Sequence, residues 1–330
     1  MSALPNPDRP LDTDEATQAF ATLLDGVPTD QDIATFLTAL SDRGETAIEI
    51  AAAAQAMRDR MIPIAAPPGA IDVCGTGGDG HHTLNVSTAV SLVVAACDVP
   101  VAKHGNRAAS SRSGAADTLE ALGLDLSRAA DNAERSLADI GICFLFAQNH
   151  HPALKRLGPI RKAIGRRTIF NLMGPLANPA RVDRQLIGIA RPAYVPIYAQ
   201  ALAQLGTRRA IVVSGDEGLD ELSVAGGNAI ADVGEKGPVA MRRWSPADAG
   251  LPVHPISAIR GGDAPYNAAA LRALLMGEPG PYRDAVLFNA AAALIVADVA
   301  RDLREGVEEA AEVIDKGLAN ALLNCWIAYS

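Results

Sequence analysis

The sequence predicts an α/β protein: a small α-helical domain followed by a large α/β domain with a mostly parallel central sheet. Three observations carry that expectation. Residues 1–70 hold helix signals only. From Ala70 onward, short apolar strand-like runs alternate with helix-like ones, the pattern that parallel βαβ units produce. Hydrophobic residues make up 49% of the chain but aromatic ones only 4%, so the core must be built from Ala, Val, Leu and Ile, which suits helices packed on a sheet. A chain of 330 residues can bury two cores. The expected division is 1–68 for the helical part, joined by helices from about 150–180, and 69–330 for the α/β part.

Taken in order, Asp12 with Glu15 and Thr46 with Glu49 are spaced as capping boxes, and Thr29 with Asp32 opens a helix between them. The third helix should end near Met61, and the segment Pro63 to Pro68 reads as a linker. A strand at Ala70 to Cys74 leads to a helix at Ser87 to Ala96, and a strand at Val99 to Ala102 leads to a helix at Ala115 to Leu122. Further strands are expected at Cys143 to Phe146, Gln185 to Ile189 and Ala210 to Val213, with helices at Pro152 to Ile164 and up to Leu205. The Ala-rich stretch from Ala285 to Leu323 should be helical with a break at Gly306.

Several function classes are excluded at this level. The longest apolar stretches, near Ala89 to Cys97 and Ala290 to Ala297, fall well short of the 18 or so residues that a membrane span needs. The N-terminus lacks a basic region followed by an apolar run, so a cytoplasmic location is the default expectation. Cys74, Cys97, Cys143 and Cys325 lack the close pairing of structural zinc sites and are expected to be buried, reduced thiols. A formal charge of −9 argues against a nucleic-acid partner, which wants a basic surface. Within that acidic chain two windows hold no Asp or Glu. Residues 140–182 carry Lys155, Arg156, Arg161, Lys162, Arg166, Arg167 and Arg181, and residues 99–116 carry Lys103, Arg107 and Arg112. Such windows suggest sites for small anions, with at least half of these side chains on solvated helix faces.

The two loops GTGGDG at 75–80 and KHGNRAASS at 103–111 follow consecutive strands. In a parallel sheet both should lie outside the carboxyl ends of those strands. Gly75, Gly77 and Gly80 satisfy the dinucleotide pattern, but His81 to Asn85 separate them from the helix, and Asp98 precedes the second strand instead of ending it. Lys103 and His104 stand where the ribose-binding acid belongs, which favours phosphate. Glycine amides can converge on an anion, and Asn85, Ser87 and Thr88 add side-chain donors at a helix start. Asp79 would repel phosphates unless it meets a metal or a sugar hydroxyl. The adjacent His81 and His82 are read as solvent-facing.

With GTGGDG at 75–80, NVST at 85–88, KHGNR at 103–107, NLMGPL at 171–176 and GLDE at 218–221, the chain closely resembles the anthranilate phosphoribosyltransferase family along its whole length. The resemblance implies a nucleoside phosphorylase/phosphoribosyltransferase-like fold, usually a homodimer through the helical part. It implies transfer of the phosphoribosyl group of 5-phosphoribosyl 1-diphosphate to the amine of anthranilate, with Mg²⁺, in tryptophan biosynthesis. Small molecules are then the partners, with no nucleic acid and no membrane. By the same resemblance, Gly75, Gly78, Asp79, Asn85, Val86, Ser87 and Thr88 meet the donor's diphosphate end. Further donor contacts fall on Thr83, Lys103, Arg107, Ala108, Ala109, Ser110 and Ser111, and on Ala115, where some relatives carry Ser. Asn106, Arg161 and Gly75 would meet anthranilate; Ser87, Asp220 and Glu221 would hold the metal; His104 is the candidate catalytic base. Ala177 replaces the family's Thr, a small change read as neutral. The residue types agree with these roles: a Lys suits a phosphate as a point charge, an Arg fork suits a carboxylate, and paired carboxylates suit a hard cation.

Overall fold

Asp12 accepts a hydrogen bond from the Glu15 N–H while Glu15 reaches back to the Asp12 N–H, and Thr46 and Glu49 repeat the arrangement. These boxes start α1 (Thr13–Leu24) and α3 (Ala47–Arg58), and Thr29 caps α2 (Asp30–Arg43) through the Asp32 N–H. Each cap satisfies amides that a helix start leaves open. All three helices begin where the sequence spacing puts them.

The computed structural model describes residues 4–107, 112–234 and 237–330. After the helices come β1 (Ile71–Gly75), α4 (Val86–Ala96), β2 (Val101–Gly105), α5 (Ala115–Leu122), α6 (Leu126–Asp131), α7 (Ala133–Ile140) and β3 (Ile142–Phe146). The chain continues through α8 (Ala147–His150), α9 (Leu157–Ile164), β4 (Arg184–Gly188), α10 (Val195–Gln204), β5 (Arg209–Gly215), β6 (Asn228–Gly234) and β7 (Ala240–Trp244). Four helices close it: α11 (Ala264–Leu275), α12 (Pro281–Val296), α13 (Leu303–Asp315) and α14 (Leu318–Tyr329). The strands form one sheet in the order β3-β2-β1-β4-β5-β6-β7. The first five pair in parallel, and β6 and β7 add an antiparallel edge.

Strand alternation assigns the two faces. Leu186, Ile211 and Val213 pack with α4, α12, α13 and α14, while Ile187, Ala210 and Val212 pack with α1 to α3, α9 and α10. Strands buried on both faces need apolar side chains at odd and even positions alike, as parallel sheets require. The second core also takes in Leu157, Ile160, Ile169 and Phe170, so part of the 150–180 stretch packs with the N-terminal helices. Charge assists that seating. Arg156 donates to the Pro28 carbonyl and to Asp30 Oδ1 at 2.8 and 3.0 Å, and Arg166 pairs with Asp42 at 2.5 Å. Exposed pairs add little stability, but these fix how α2 lies against the segment around α9. Two cations of the acid-free window are thus engaged by the helical part.

Three local expectations change, and two strands go beyond them. Lys103, His104 and Gly105 are not loop residues; they pair with Phe144, Leu145 and Phe146 and end β2, so the second loop begins at Asn106. The helix expected from Pro152 is interrupted after Leu154 and resumes as α9. Gly306 does not break the C-terminal helices; it lies inside α13, and the breaks fall between α12 and α13 and between α13 and α14. A Cβ at Gly306 would stand 2.7 Å from the Ala291 Cα, so glycine here lets α13 cross α12 closely. The antiparallel strands β6 and β7 carried no readable signal: β7 is an edge with Met241, Arg242 and Arg243 exposed. Among the described residues, no helix is long and apolar enough to cross a membrane.

Replacing Gly306 with Val should destabilise the protein by about 1–3 kcal/mol through overpacking, although valine is a better helix former than glycine. Urea unfolding with an unchanged m-value measures this; a stabilised variant would disprove the close crossing.

Candidate active site

The chain leaves β1 for β2 on one side and later returns to β4 on the other, so the order reverses around β1. Ligands of parallel sheets bind beyond the carboxyl ends at such a point. A cavity of about 410 Å³ opens there. One wall is the glycine loop, in which Gly77 and Gly78 adopt φ of 72° and 74°, a region open to glycine at little cost. Gly75 serves a different need. A Cβ on Gly75 would collide with Asp220 Oδ2, and one on Gly188 would collide with the Asp220 carbonyl. The segment after β5 therefore crosses the bare ends of β1 and β4, and Asp220 Oδ2 accepts the Gly77 N–H at 2.6 Å.

That crossing concentrates negative charge. Glu221 Oε1 accepts the Ser87 N–H at 3.0 Å, in the first turn of α4, while its Oε2 is buried without a hydrogen bond. Burial, then the charge of Asp79, pushes Asp220 up to about 7; burial, then Asp220, pushes Glu221 well above the carboxylate range. Three converging carboxylates and an orphaned oxygen are a donor set for a hard cation. Among the described residues no trio of His, Cys, Asp or Glu forms a closed metal site. Mg²⁺ needs none, since it binds through one or two carboxylates together with water and phosphate oxygens. The residues present fit it.

Basic side chains line the same cavity. Lys103 is buried, with Nζ donating to the Val73 carbonyl at 2.9 Å and to Ser87 Oγ at 3.4 Å. His104 Nδ1 lies 2.8 Å from the Gly174 carbonyl. A carbonyl can only accept, so Nδ1 carries the proton and Nε2, which has no partner, is a bare acceptor. Burial, then the neighbouring His151, lowers His104 to about 3, and the imidazole is neutral. The two rings lie 5.2 Å apart. Arg161, half-buried on α9, has no hydrogen-bond or ion-pair partner among the described residues, and burial lowers its pKa.

Of the residues singled out in the sequence, Gly75, Gly78, Asp79, Thr83, Asn85, Ser87, Lys103, His104, Asn106, Arg107, Ala115, Arg161, Asp220 and Glu221 line this one cavity. Val86 and Thr88 are buried in α4 behind its wall, and Ala108, Ala109, Ser110 and Ser111 lie outside the described residues. Two side chains are committed elsewhere. Asn85 Oδ1 accepts from Thr118 and Asn267 at 2.6 and 2.8 Å, with Nδ2 3.4 Å from the Ser113 carbonyl, so Asn85 braces the wall instead of offering a free donor. Arg107 pairs with Asp117 and Glu120 at 2.9 and 2.5 Å and covers Phe146.

His81 and His82 are half-buried, not solvent-facing: His81 Nε2 lies 3.1 Å from the Glu217 carbonyl, and His82 joins the cavity wall. The thiols are free, as expected, but Cys325 is exposed, and Cys74 and Cys97 are half-buried. Sequence reasoning missed the apolar end of the cavity, where Met57 of α3 meets Leu154, Phe170 and Met173, with His151 beside them. These residues come from three separate segments. Only NLMGPL carried a signal, and it named no role.

Residues 67–320 match the glycosyl transferase family, a/b domain, and residues 6–61 the glycosyl transferase family, helical bundle domain. The chain is 73% identical over 328 residues to the anthranilate phosphoribosyltransferase of Novosphingobium aromaticivorans, covering 99% of each chain, and 75% identical over 325 residues to that of Sphingopyxis alaskensis, covering 98% of each. Among solved structures it superposes on the Thermus thermophilus enzyme with a TM-score of 0.90 at 42% identity, over 98% of this chain and 96% of that one. The Saccharomyces cerevisiae enzyme in complex with PRPP and Mg gives 0.86 at 28% identity, over 97% and 93%. Sequence, fold and a cavity that combines a glycine loop, paired carboxylates and an unpartnered arginine agree, and the chain belongs to the anthranilate phosphoribosyltransferase family.

Proposed function

We propose that this cavity transfers the phosphoribosyl group of 5-phosphoribosyl 1-diphosphate to the amine of anthranilate, giving N-(5-phosphoribosyl)anthranilate and diphosphate in tryptophan biosynthesis. The observation that carries the proposal is the polarity of one cavity. The glycine loop and the trio Asp79, Asp220 and Glu221 occupy one end, and a neutral His104 with the unpartnered Arg161 occupies an otherwise apolar other end. The first end suits a metal-bound polyphosphate and the second a flat aromatic acid.

On this reading the donor lies along Gly75, Gly78, Asp79, Thr83, Ser87 and Lys103, and Arg107 joins by exchanging Asp117 and Glu120 for phosphate. Ser87, Asp220 and Glu221 would hold Mg²⁺, which when bound offsets the charge that builds on the departing diphosphate. The fork of Arg161 takes the anthranilate carboxylate, and Asn106 and Gly75 line the same end. The amine nitrogen is then held near the anomeric carbon, and positioning supplies much of the rate. As the new C–N bond forms, the C–O bond breaks and its electron pair leaves with diphosphate. The nitrogen sheds one proton, for which the bare Nε2 of His104 is the acceptor. The division at residue 68, with part of 150–180 added to the helical unit, places Met57 and Arg161 on one side of the cavity and the glycine loop on the other. Homodimerisation through the helices and a cytoplasmic location complete the reading.

Loss of anthranilate fluorescence with the diphosphate donor and Mg²⁺ tests the reaction; a protein that leaves anthranilate intact would refute it. Changing both Asp220 and Glu221 to Ala should abolish turnover at any Mg²⁺ concentration, and retained Mg²⁺-dependent activity would remove the pair from metal binding. Arg161→Ala should raise the apparent KM for anthranilate roughly 30-fold, equivalent to about 2 kcal/mol, with the donor KM little changed; an unaltered KM would take Arg161 out of the acceptor site.

A pH effect follows from His104. Its folded pKa of about 3 lies below the unfolded value near 6.5, so between these the unfolded chain binds the extra proton and stability falls as pH falls. The neutral ring adds no penalty above pH 6.5. From pH 7 to pH 5 the parent should lose about 2 kcal/mol through this group, and His104→Phe should lose correspondingly less. Chemical denaturation at the two pH values decides; parallel losses in both proteins would contradict the buried neutral imidazole.

A further inference from the structure

The sheet is not uniformly laced. β1 pairs with β4, and β2 with β3, over five positions each, whereas among the described residues β1 and β2 are in register only at Ile71 and Val101. Continuing that ladder would engage the Ala102 carbonyl, the Val73 carbonyl and the His104 N–H. Each of these groups has a side-chain partner instead. Asn178 Nδ2 donates to the Ala102 carbonyl at 2.8 Å, Lys103 Nζ to the Val73 carbonyl at 2.9 Å, and the His104 N–H to Asp72 Oδ1 at 3.1 Å. The remaining valences close the group. Asn178 Nδ2 also donates to Asp72 Oδ2 at 2.8 Å, Asn178 Oδ1 accepts the Ala180 N–H at 2.8 Å, and the Cys74 thiol lies 3.5 Å from Asp72 Oδ2. Asp72, Lys103 and Asn178 are all buried.

We infer that Asp72 and Asn178 form a polar wedge that parts β1 from β2 and thereby positions Lys103 and His104 at the floor of the cavity. Neither residue lines the cavity; both act through β2. A closed ladder would take the Val73 carbonyl and the His104 N–H into backbone pairing, and Lys103 would then share that carbonyl with the His104 N–H. Asp72 is also the leading negative charge acting on Lys103, so the wedge helps to offset the cost of burying a cation there. Asn178 lies two residues beyond NLMGPL, the run that supplies the Gly174 carbonyl holding the His104 ring. The wedge thus fixes the backbone of the residue whose ring that run fixes. It rests on the proposed roles of Lys103 toward the donor and His104 toward the acceptor.

The test is Asp72→Asn, assayed for both KM values, kcat and thermal unfolding. The carboxamide that replaces the carboxylate can still accept the His104 N–H, but its amino group faces that of Asn178 and the charge beside Lys103 is lost. The donor KM should rise at least tenfold while kcat at saturation stays within about threefold. Adding Asn178→Asp restores the charge and one donor–acceptor pairing, and should recover at least a threefold part of the donor KM. A donor KM within twofold of the parent overturns the wedge, as does a proportional rise of both KM values that the second change does not relieve. If Asp72→Asn does not fold, Asn178→Ala takes its place: it keeps the carboxylate, and a donor KM raised fivefold or more supports the wedge while an unchanged one overturns it. Failure of every variant to fold assigns both residues to the framework alone and also overturns it. A parent that does not consume anthranilate refutes the proposed function; an active parent with unaltered variants refutes only the wedge.

Discussion

A buried carboxyl group reaches the end of a parallel sheet only where the strands offer no side chain to stop it. The close approach of Asp220 to Gly75 and Gly188 is that constraint here, and the rest of the site follows from it. Because the 219–222 segment lies directly on the ends of β1 and β4, Asp220 can accept from the glycine loop and Glu221 can reach the first turn of α4. Two loops and a helix start, otherwise independent, are tied to one pair of acids. A side chain at either glycine would displace both carboxylates and the loop they organise.

The tie leaves unsatisfied polar groups on both sides of the cavity. The carboxylate end is short of cations, with Glu221 Oε2 bare; the opposite end holds an arginine short of anions. Neither imbalance is relieved among the described residues, although Arg156 and Arg166 show that the chain neutralises arginines readily where no ligand is due. Groups left unpaired in a buried site raise the free energy of the empty protein and lower that of the complex. The charge pattern is therefore a specification for what enters: a phosphate-borne cation at one end and a carboxylate at the other.

Much of this was legible in the sequence. Caps at Asp12, Thr29 and Thr46, the strands at Ile71 and Ile142, and the helix Ala115–Leu122 follow from local spacing, because the capping and burial that produce them are local. The end of β2 was not legible: Lys103 and His104 look like loop residues until β3 is there to pair with them. Gly306 misled for a related reason, since the contact that requires it is on another helix. At the site, the glycine loop and the acids were readable as types, but the apolar end was assembled from α3, the 151–154 turn and the 170–174 run, and no single segment announces such a convergence. Asn85 shows the remaining limit. Its position was right for a donor, yet Thr118 and Asn267 hold its oxygen and its Nδ2 faces the Ser113 carbonyl.

The parting of β1 from β2 divides the sheet into two panels stitched by one backbone pair. In a continuous ladder the main chain enforces alignment whatever the side chains are. Across this seam the enforcing groups are Asp72, Lys103 and Asn178, two of them ionisable. A slip of one residue along β2 would exchange the faces of Lys103 and His104; the backbone pairing that resists it is supplied by β3 and not by β1. The side chains that bridge this seam are also those that place Lys103 and His104, so the seam links the register of the strands to the position of the reactive groups.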